Sequence, residues 1–187
     1  MTQNPKKEEL RKGMLEKRLA LPEEKVHLLS KPIQEKLIKS EVWGQTENIG
    51  LYAPIKNEVE TKLLFMKALE SGYSVYFPRV EQGLRFYEVQ EPSDLQKGAW
   101  GIPEPKDSCP PLEKLEDLGL IVAPGIVFDK KGHRLGYGKA FYDNLLKNFP
   151  NRTVGLAYDF QVVDELPADA WDCRLKKVIT EKNEYIF

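Results

Sequence analysis

Residues 122–146 read VAPGIVFDKKGHRLGYGKAFYDNLL and hold the side chains best equipped for chemistry. Gly132, Gly136 and Gly138 let backbone amides approach phosphate oxygens closely. Arg134 offers a planar fork for two such oxygens, and Lys139 a compact charge. The stretch begins at the end of an apolar run and enters a predicted helix, so it lies where open α/β sheets bind ligands. A tight turn with solvated charges is the plainer alternative, but arginine, lysine and a buried strand at one mouth favour phosphate binding. The spacing is not that of a Walker A loop. Gly132 precedes Gly138 by one residue too many, and Ala140 stands where a magnesium-binding Ser or Thr follows the lysine. A dinucleotide fingerprint is excluded too, because Phe141 occupies its third glycine position.

A second set of cations lies near the N-terminus. On a helix, Arg11 and Arg18 fall roughly 40° and 20° from Lys7. Leu10 and Met14 flank that stripe on one side and Leu15 on the other, so it shares the docking face. Buried cations need anionic partners, and internal salt bridges or a bound ligand satisfy that requirement equally well. Asp143, one helical turn beyond Lys139, can face the same phosphates, and Asp172 precedes a short C-terminal strand. Magnesium that accompanies a nucleotide needs only one or two protein carboxylates. Glu58 and Glu60 read most simply as first-turn acids of a helix. Trp100, in GAWGIPEP, can stack on a flat heterocycle or anchor its loop. His27 and His133 form no triad, and His133 reads as a loop residue beside Arg134.

The elements that must position these residues follow from periodicity. Helices are predicted over 5–21 and from 22 to 40, with Pro32 as a kink or a break. Strands are predicted over 48–53, 73–78, 84–89, 118–123, 153–158 and 177–180, the second and third paired through the turn at Glu81, Gln82 and Gly83. Helices fall at 60–70 and 139–149. Strands alternating with helices imply an α/β fold whose mostly parallel sheet is covered on both faces. The segment 90–117 reads as a long functional loop within a single domain spanning 1–187. With 187 residues, 41% hydrophobic and 30% charged, the chain suits a globular domain, and its net charge of −1 argues against nucleic acid as partner. Cys109 and Cys173 match no metal or disulfide spacing. No apolar run approaches the roughly 20 residues that span a bilayer, and the charged N-terminus is no secretory signal. A cytoplasmic monomer without membrane contact is expected.

The segment APGIVFDKKGHRLGYGKAFYD resembles the signature of 5-formyltetrahydrofolate cyclo-ligases, approximately PGxxFDxxGxRLGxGxGYYD. The resemblance extends to the basic helix with Lys7 and Arg11, to NEVET, to WGIPEP and to WDCRLKKVITE. It implies a three-layer α/β/α sandwich of the sugar-isomerase/CoA-transferase type. It also implies an ATP- and Mg2+-dependent enzyme that converts 5-formyltetrahydrofolate into 5,10-methenyltetrahydrofolate. By resemblance, Lys7, Arg11 and the loop Arg134, Leu135, Gly136, Tyr137, Gly138, Lys139, Ala140, Phe141 and Tyr142 contact ATP, with Arg134 and Lys139 catalytic. Ala53, Glu58, Trp100 and the part of that loop from Tyr137 to Phe141 border the folate, and Asp143 and Asp172 hold magnesium. Three positions depart from the pattern: Ala140 and Phe141 replace the usual Gly and Tyr, and Lys176 stands where many members carry an acid. A different formyl or carboxyl acceptor, and a non-catalytic nucleotide- or folate-binding regulator, are the competing readings.

Overall fold

The computed structural model describes residues 4–98, 101–147, 149–167 and 173–187. Its helices are α1 (Pro5–Leu19), α2 (Glu23–Ile38), α3 (Glu41–Gly44), α4 (Lys62–Glu70) and α5 (Phe141–Leu146). Its strands are β1 (Asn48–Gly50), β2 (Ser74–Val80), β3 (Leu84–Glu88), β4 (Leu95–Lys97), β5 (Pro103–Pro105) and β6 (Leu120–Ala123). They continue with β7 (Val127–Asp129), β8 (Arg134–Leu135), β9 (Thr153–Leu156), β10 (Val162–Val163), β11 (Lys177–Ile179) and β12 (Glu184–Ile186).

The main sheet runs β12-β11-β9-β6-β1-β2-β3. Its inner pairings are parallel, with Ile49 beside both Val75 and Leu120, while β3 and β12 close the edges antiparallel. Alternate side chains of each strand serve opposite faces. Leu120 and Val122 of β6 join Ile33, Leu37, Leu64 and Phe65 on the face covered by α2 and α4. Ile121 and Ala123 join Phe128, Leu145 and Leu146 on the other. That second face is covered by α5 and by a small sheet, β10-β7-β8, rather than by helices alone. Helix α1 lies over the small sheet, with Met14 packed among Ile126, Val127 and Leu135.

Several local expectations change. Helix α2 runs unbroken through Pro32. The carbonyl one turn back belongs to Leu28, which is 59% exposed, so water can replace the lost bond while Ile33 and Leu37 hold the helix on the sheet. The presumed long loop 90–117 contains the β4–β5 hairpin, pinned by Arg79 Nε donating to Pro105 O at 3.1 Å. Residues 127–135, where no strand was predicted, form the β7–β8 hairpin. The predicted helix 139–149 is shorter as α5, and its start is delayed because Ala140 adopts a left-handed φ of 55° at its N-cap.

Candidate active site

Two polar groupings meet at the C-terminal edge of the main sheet. Numbered along the chain, β1 leads outward to β2 in one direction, while β6, β9 and β11 add in the other. The crevice between β1 and β6 is therefore the topological switch point, where open α/β sheets bind ligands.

The first grouping is a cleft bordered by Lys7, Arg11, His133, Arg134, Gly136, Gly138 and Asp143. Helix α1 starts with Asn4 capping the Lys6 N–H at 3.0 Å and proline at its first turn, an arrangement that fixes its entry. Arg11 donates Nε–H to Gly136 O at 2.8 Å and pairs with Glu8 at 3.1 Å. Arg134 donates to Asp143 Oδ1 at 2.6 Å and to Pro124 O at 3.1 Å, and its guanidinium lies over the Tyr142 ring at 5.4 Å. A Cβ on Gly136 would come within 2.8 Å of the Arg134 NH1. A side chain there would displace the end of the arginine from its present position. Three or more cations beside one carboxylate suit a polyphosphate with its metal ion. Asp143, 32% exposed and paired with Arg134, is the described carboxylate of this cleft that could hold a divalent cation. Among the described residues no larger cluster of metal-ligating side chains occurs, which fits magnesium's habit of taking most ligands from phosphate and water.

The second grouping is buried. Glu58, 4% exposed, accepts the Ile55 N–H at 3.0 Å and the Tyr137 hydroxyl at 3.4 Å, and faces Arg18 at 3.6 Å. Burial pushes its carboxyl up to about 7, against the opposing pull of Arg18, Ile55 N–H, Tyr137 and Lys56. The Tyr137 phenol is pushed up to about 12, first by burial and then by the Glu58 charge. Its ring is faced by Lys56 Nζ at 5.1 Å. Tyr158, whose hydroxyl donates to Glu58 O at 3.3 Å, and Tyr52, whose hydroxyl donates to Val59 O at 2.7 Å, extend this polar network among apolar neighbours.

The placement of the sequence candidates is uneven. Lys7, Arg11, Arg134, Gly136, Gly138 and Asp143 are brought together. Tyr137 bridges to Glu58, and Ala53 is buried beside Tyr52 and Val59. Lys139 is exposed and precedes α5, so it is not one helical turn from Asp143 as expected. Ala140 and Phe141 flank the start of α5. Leu135 borders the cleft but buries its side chain with Met14 and Ile126. Gly132 is corrected: it makes the β7–β8 turn at φ 89°, where a Cβ would strike Phe187 at 2.8 Å, and it is not at the cleft. Glu58 is not a first-turn acid, because α4 begins only at Lys62. Glu60 instead meets His27 at 3.0 Å. Trp100 and Asp172 lie outside the described residues. Cys173 puts its Sγ 3.7 Å from Asp143 O. Lys176 lines a separate opening with Arg152 and Gln45 at the opposite end of β9.

Two residues hold positions that the sequence reading does not assign them. Arg18 was grouped with Lys7 and Arg11, yet it reaches Glu58; NEVE offered no cue to that pairing. His133 is anchored at Nδ1 by Asp129 Oδ2 at 3.0 Å and borders the cleft. Burial pulls the Asp129 carboxyl upward, but hydrogen bonds from Leu166, His133 and Lys131 hold it below the usual range. The spacing of four residues between Asp129 and His133 was the available signal.

Known proteins resemble the chain along most of its length. The model of the 5-formyltetrahydrofolate cyclo-ligase family matches residues 3–181. A probable 5-formyltetrahydrofolate cyclo-ligase of Caenorhabditis elegans is 30% identical, covering 97% of this chain and 95% of its own. The enzyme of that name from Haemophilus influenzae is 34% identical, covering 72% of this chain and 76% of its own. The solved 5,10-methenyltetrahydrofolate synthetase of Aquifex aeolicus superposes with a TM-score of 0.86 at 40% identity, covering 96% of this chain and 92% of its own. That of Mycoplasma pneumoniae gives 0.75 at 28% identity, covering 94% and 98%. With matches along nearly its whole length, this chain belongs to the 5-formyltetrahydrofolate cyclo-ligase family.

Proposed function

We propose that the chain converts 5-formyltetrahydrofolate and ATP into 5,10-methenyltetrahydrofolate, ADP and phosphate, acting in the cytoplasm. The observation that carries this reading is the junction at Tyr137. One loop borders a cationic cleft at Gly136 and Gly138 and touches a buried carboxyl, Glu58, through the intervening side chain. A nucleotide and a polar heterocycle bound on either side of that loop would meet end to end.

The chemical obstacle is that an amide oxygen leaves poorly. Moving the γ-phosphoryl group onto the formyl oxygen makes an O–P bond and breaks the bridging bond to ADP. N10 then attacks the activated carbon, the C–O bond breaks, phosphate departs with its electrons, and the N10 proton goes to water. In such a transfer the protein's work is positioning and charge stabilisation. Lys7 and Arg11 would bind the phosphates, and Arg134 would follow the charge as it moves onto the transferring oxygens. Bound Mg2+, held by Asp143 with Asp172 as the second candidate ligand, would screen the phosphate oxygens. Glu58 would accept from the donor edge of the pterin, Ala53 would pack beside the ring, and Trp100 is the proposed stacking residue. Lys139 is proposed as a second catalytic cation.

Purified protein mixed with MgATP and 5-formyltetrahydrofolate should generate the methenyl chromophore with one ADP per product. ATP hydrolysis indifferent to 5-formyltetrahydrofolate, without chromophore, overturns the reading.

A further inference from the structure

Arg18 is charged, yet only 1% of its side chain is exposed. It donates Nε–H to Lys56 O at 3.0 Å, an NH1 hydrogen to Gly125 O at 2.9 Å, and an NH2 hydrogen to the Tyr137 hydroxyl. NH2 also stands 3.6 Å from Glu58 Oε1. One guanidinium thus ties together the segment after β1, the segment after β6 and the glycine loop, across the switch point. Two helical turns earlier, Arg11 donates to Gly136 O at 2.8 Å. Helix α1 therefore grips two successive residues of one loop, Gly136 at the cationic cleft and Tyr137 at the buried carboxyl.

We propose that Arg18 is a positioning residue through which α1 couples the two ligand sites, so that a nucleoside triphosphate seated against Lys7 and Arg11 tightens binding of the folate at Glu58. This rests on Glu58 being a folate contact. The physical basis is ordering. A triphosphate neutralising Lys7 and Arg11 fixes the N-terminal half of α1, and a rigid helix carries that constraint roughly 10 Å to Arg18. The folate then meets Glu58 and Tyr137 already held, and the ordering cost has been met by the first ligand. Stability alone does not call for this residue, since apolar side chains commonly replace buried ion pairs without loss. A planar fork with three acceptors from separate segments fixes their relative positions, which neither an apolar side chain nor a lysine can do. Glu58 is also faced by Lys56 from its own loop, and electrostatically by Tyr52, Tyr142 and Tyr158. Among these groups Arg18 belongs to the helix that also reaches the nucleotide cleft.

Calorimetric titration of 5-formyltetrahydrofolate into the full chain, with and without a saturating non-hydrolysable MgATP analogue, tests the coupling. Wild type should bind the folate about 10-fold more tightly with the analogue present, within the range typical of linked sites. Arg18→Lys keeps the charge and should bind the analogue normally, while the ratio falls to near one. A wild-type ratio of one overturns the proposal, and so does a folded Arg18→Lys protein with the wild-type ratio. Should Arg18→Lys fail to fold, Arg11→Gln breaks the partly exposed end of the same grip. At saturating analogue its ratio should also fall to near one, and a wild-type ratio there overturns the coupling. Glu58→Gln separates the two readings. Unchanged folate affinity in that variant removes the folate from Glu58 and takes the coupling with it. Weakened folate affinity beside a wild-type ratio of one removes the coupling alone.

Discussion

At the scale of single residues, Arg134 and Tyr142 make the sharpest claims. The Arg134 guanidinium is held at 2.6 Å by Asp143 and at 3.1 Å by Pro124 O, so the protein's own groups orient it. A preorganised donor of that kind acts mainly on the transition state. Arg134→Ala should lower kcat and kcat/KM together by roughly 100-fold or more, read from initial rates of methenyl formation. A variant that changes only KM removes Arg134 from the chemical step. The Tyr142 hydroxyl is a buried polar atom with no hydrogen-bond partner among the described residues, and burial pushes its pKa well above the tyrosine range. An orphaned hydroxyl costs about 1–3 kcal/mol. Tyr142→Phe should therefore raise the Tm of the free protein by a few degrees while weakening ATP or folate binding by about 10-fold. Opposite signs for stability and affinity mark a group kept for a ligand, and equal signs refute that. Residue type and spacing singled out Arg134 in its glycine-rich loop and the α1 cations, whose place on a docking face demands partners, whereas Asp143 stood out only through the family resemblance. They could not separate Arg18 from Lys7 and Arg11, since periodicity reports the face of a helix and not what stands opposite each turn.

At the scale of elements, the glycine loop and α5 decide how the site is entered. Ala140 holds φ 55° immediately before α5, a conformation that costs an L-residue with a Cβ about 1–2 kcal/mol. Glycine there escapes the strain but loses about 0.4–1 kcal/mol through its freer unfolded chain. Ala140→Gly should thus stabilise by about 0.5 kcal/mol, visible as a Tm rise of one or two degrees. A fall in Tm would show that the left-handed turn is not retained. This strain is also why the predicted helix starting at Lys139 begins two residues later, a detail that apolar spacing does not encode. The buried strands at 118–123 and 153–158 were legible as continuous apolar runs, and the structure keeps their cores as β6 and β9. The β7–β8 and β4–β5 hairpins were not, because their strands are two or three residues long and too short to show alternation.

At the scale of the whole molecule, the sheet order puts Glu58 where ligands belong and where the fold can least easily solvate it. The alternation of strands and helices was enough to expect a crevice at the carboxyl ends of the strands, whereas the identity of the switch point required the strand order. The position of Glu58 has a folding consequence with a definite sign. Its carboxyl rises from an ordinary 4.5 to about 7 on folding. Below pH 4.5 both states hold the proton and the group is neutral to stability. Between 4.5 and 7 the unfolded chain has released its proton while the folded one retains it, so stability falls as pH rises through this window. Above 7 both are ionised and the loss is complete, at about 3 kcal/mol from 1.36 kcal/mol per unit. Glu58→Gln carries an uncharged isostere through the whole range, and other titrating groups act equally on both proteins. Denaturant melts at pH 5.0 and 8.0 should therefore show wild type losing about 2–3 kcal/mol more than Glu58→Gln between them, since part of the loss already lies below pH 5. Arg18 unpaired in the variant shifts its stability at every pH alike and leaves this difference intact. Parallel pH profiles for the two proteins would mean that Arg18 and the Ile55 amide outweigh burial and keep the carboxylate ionised throughout.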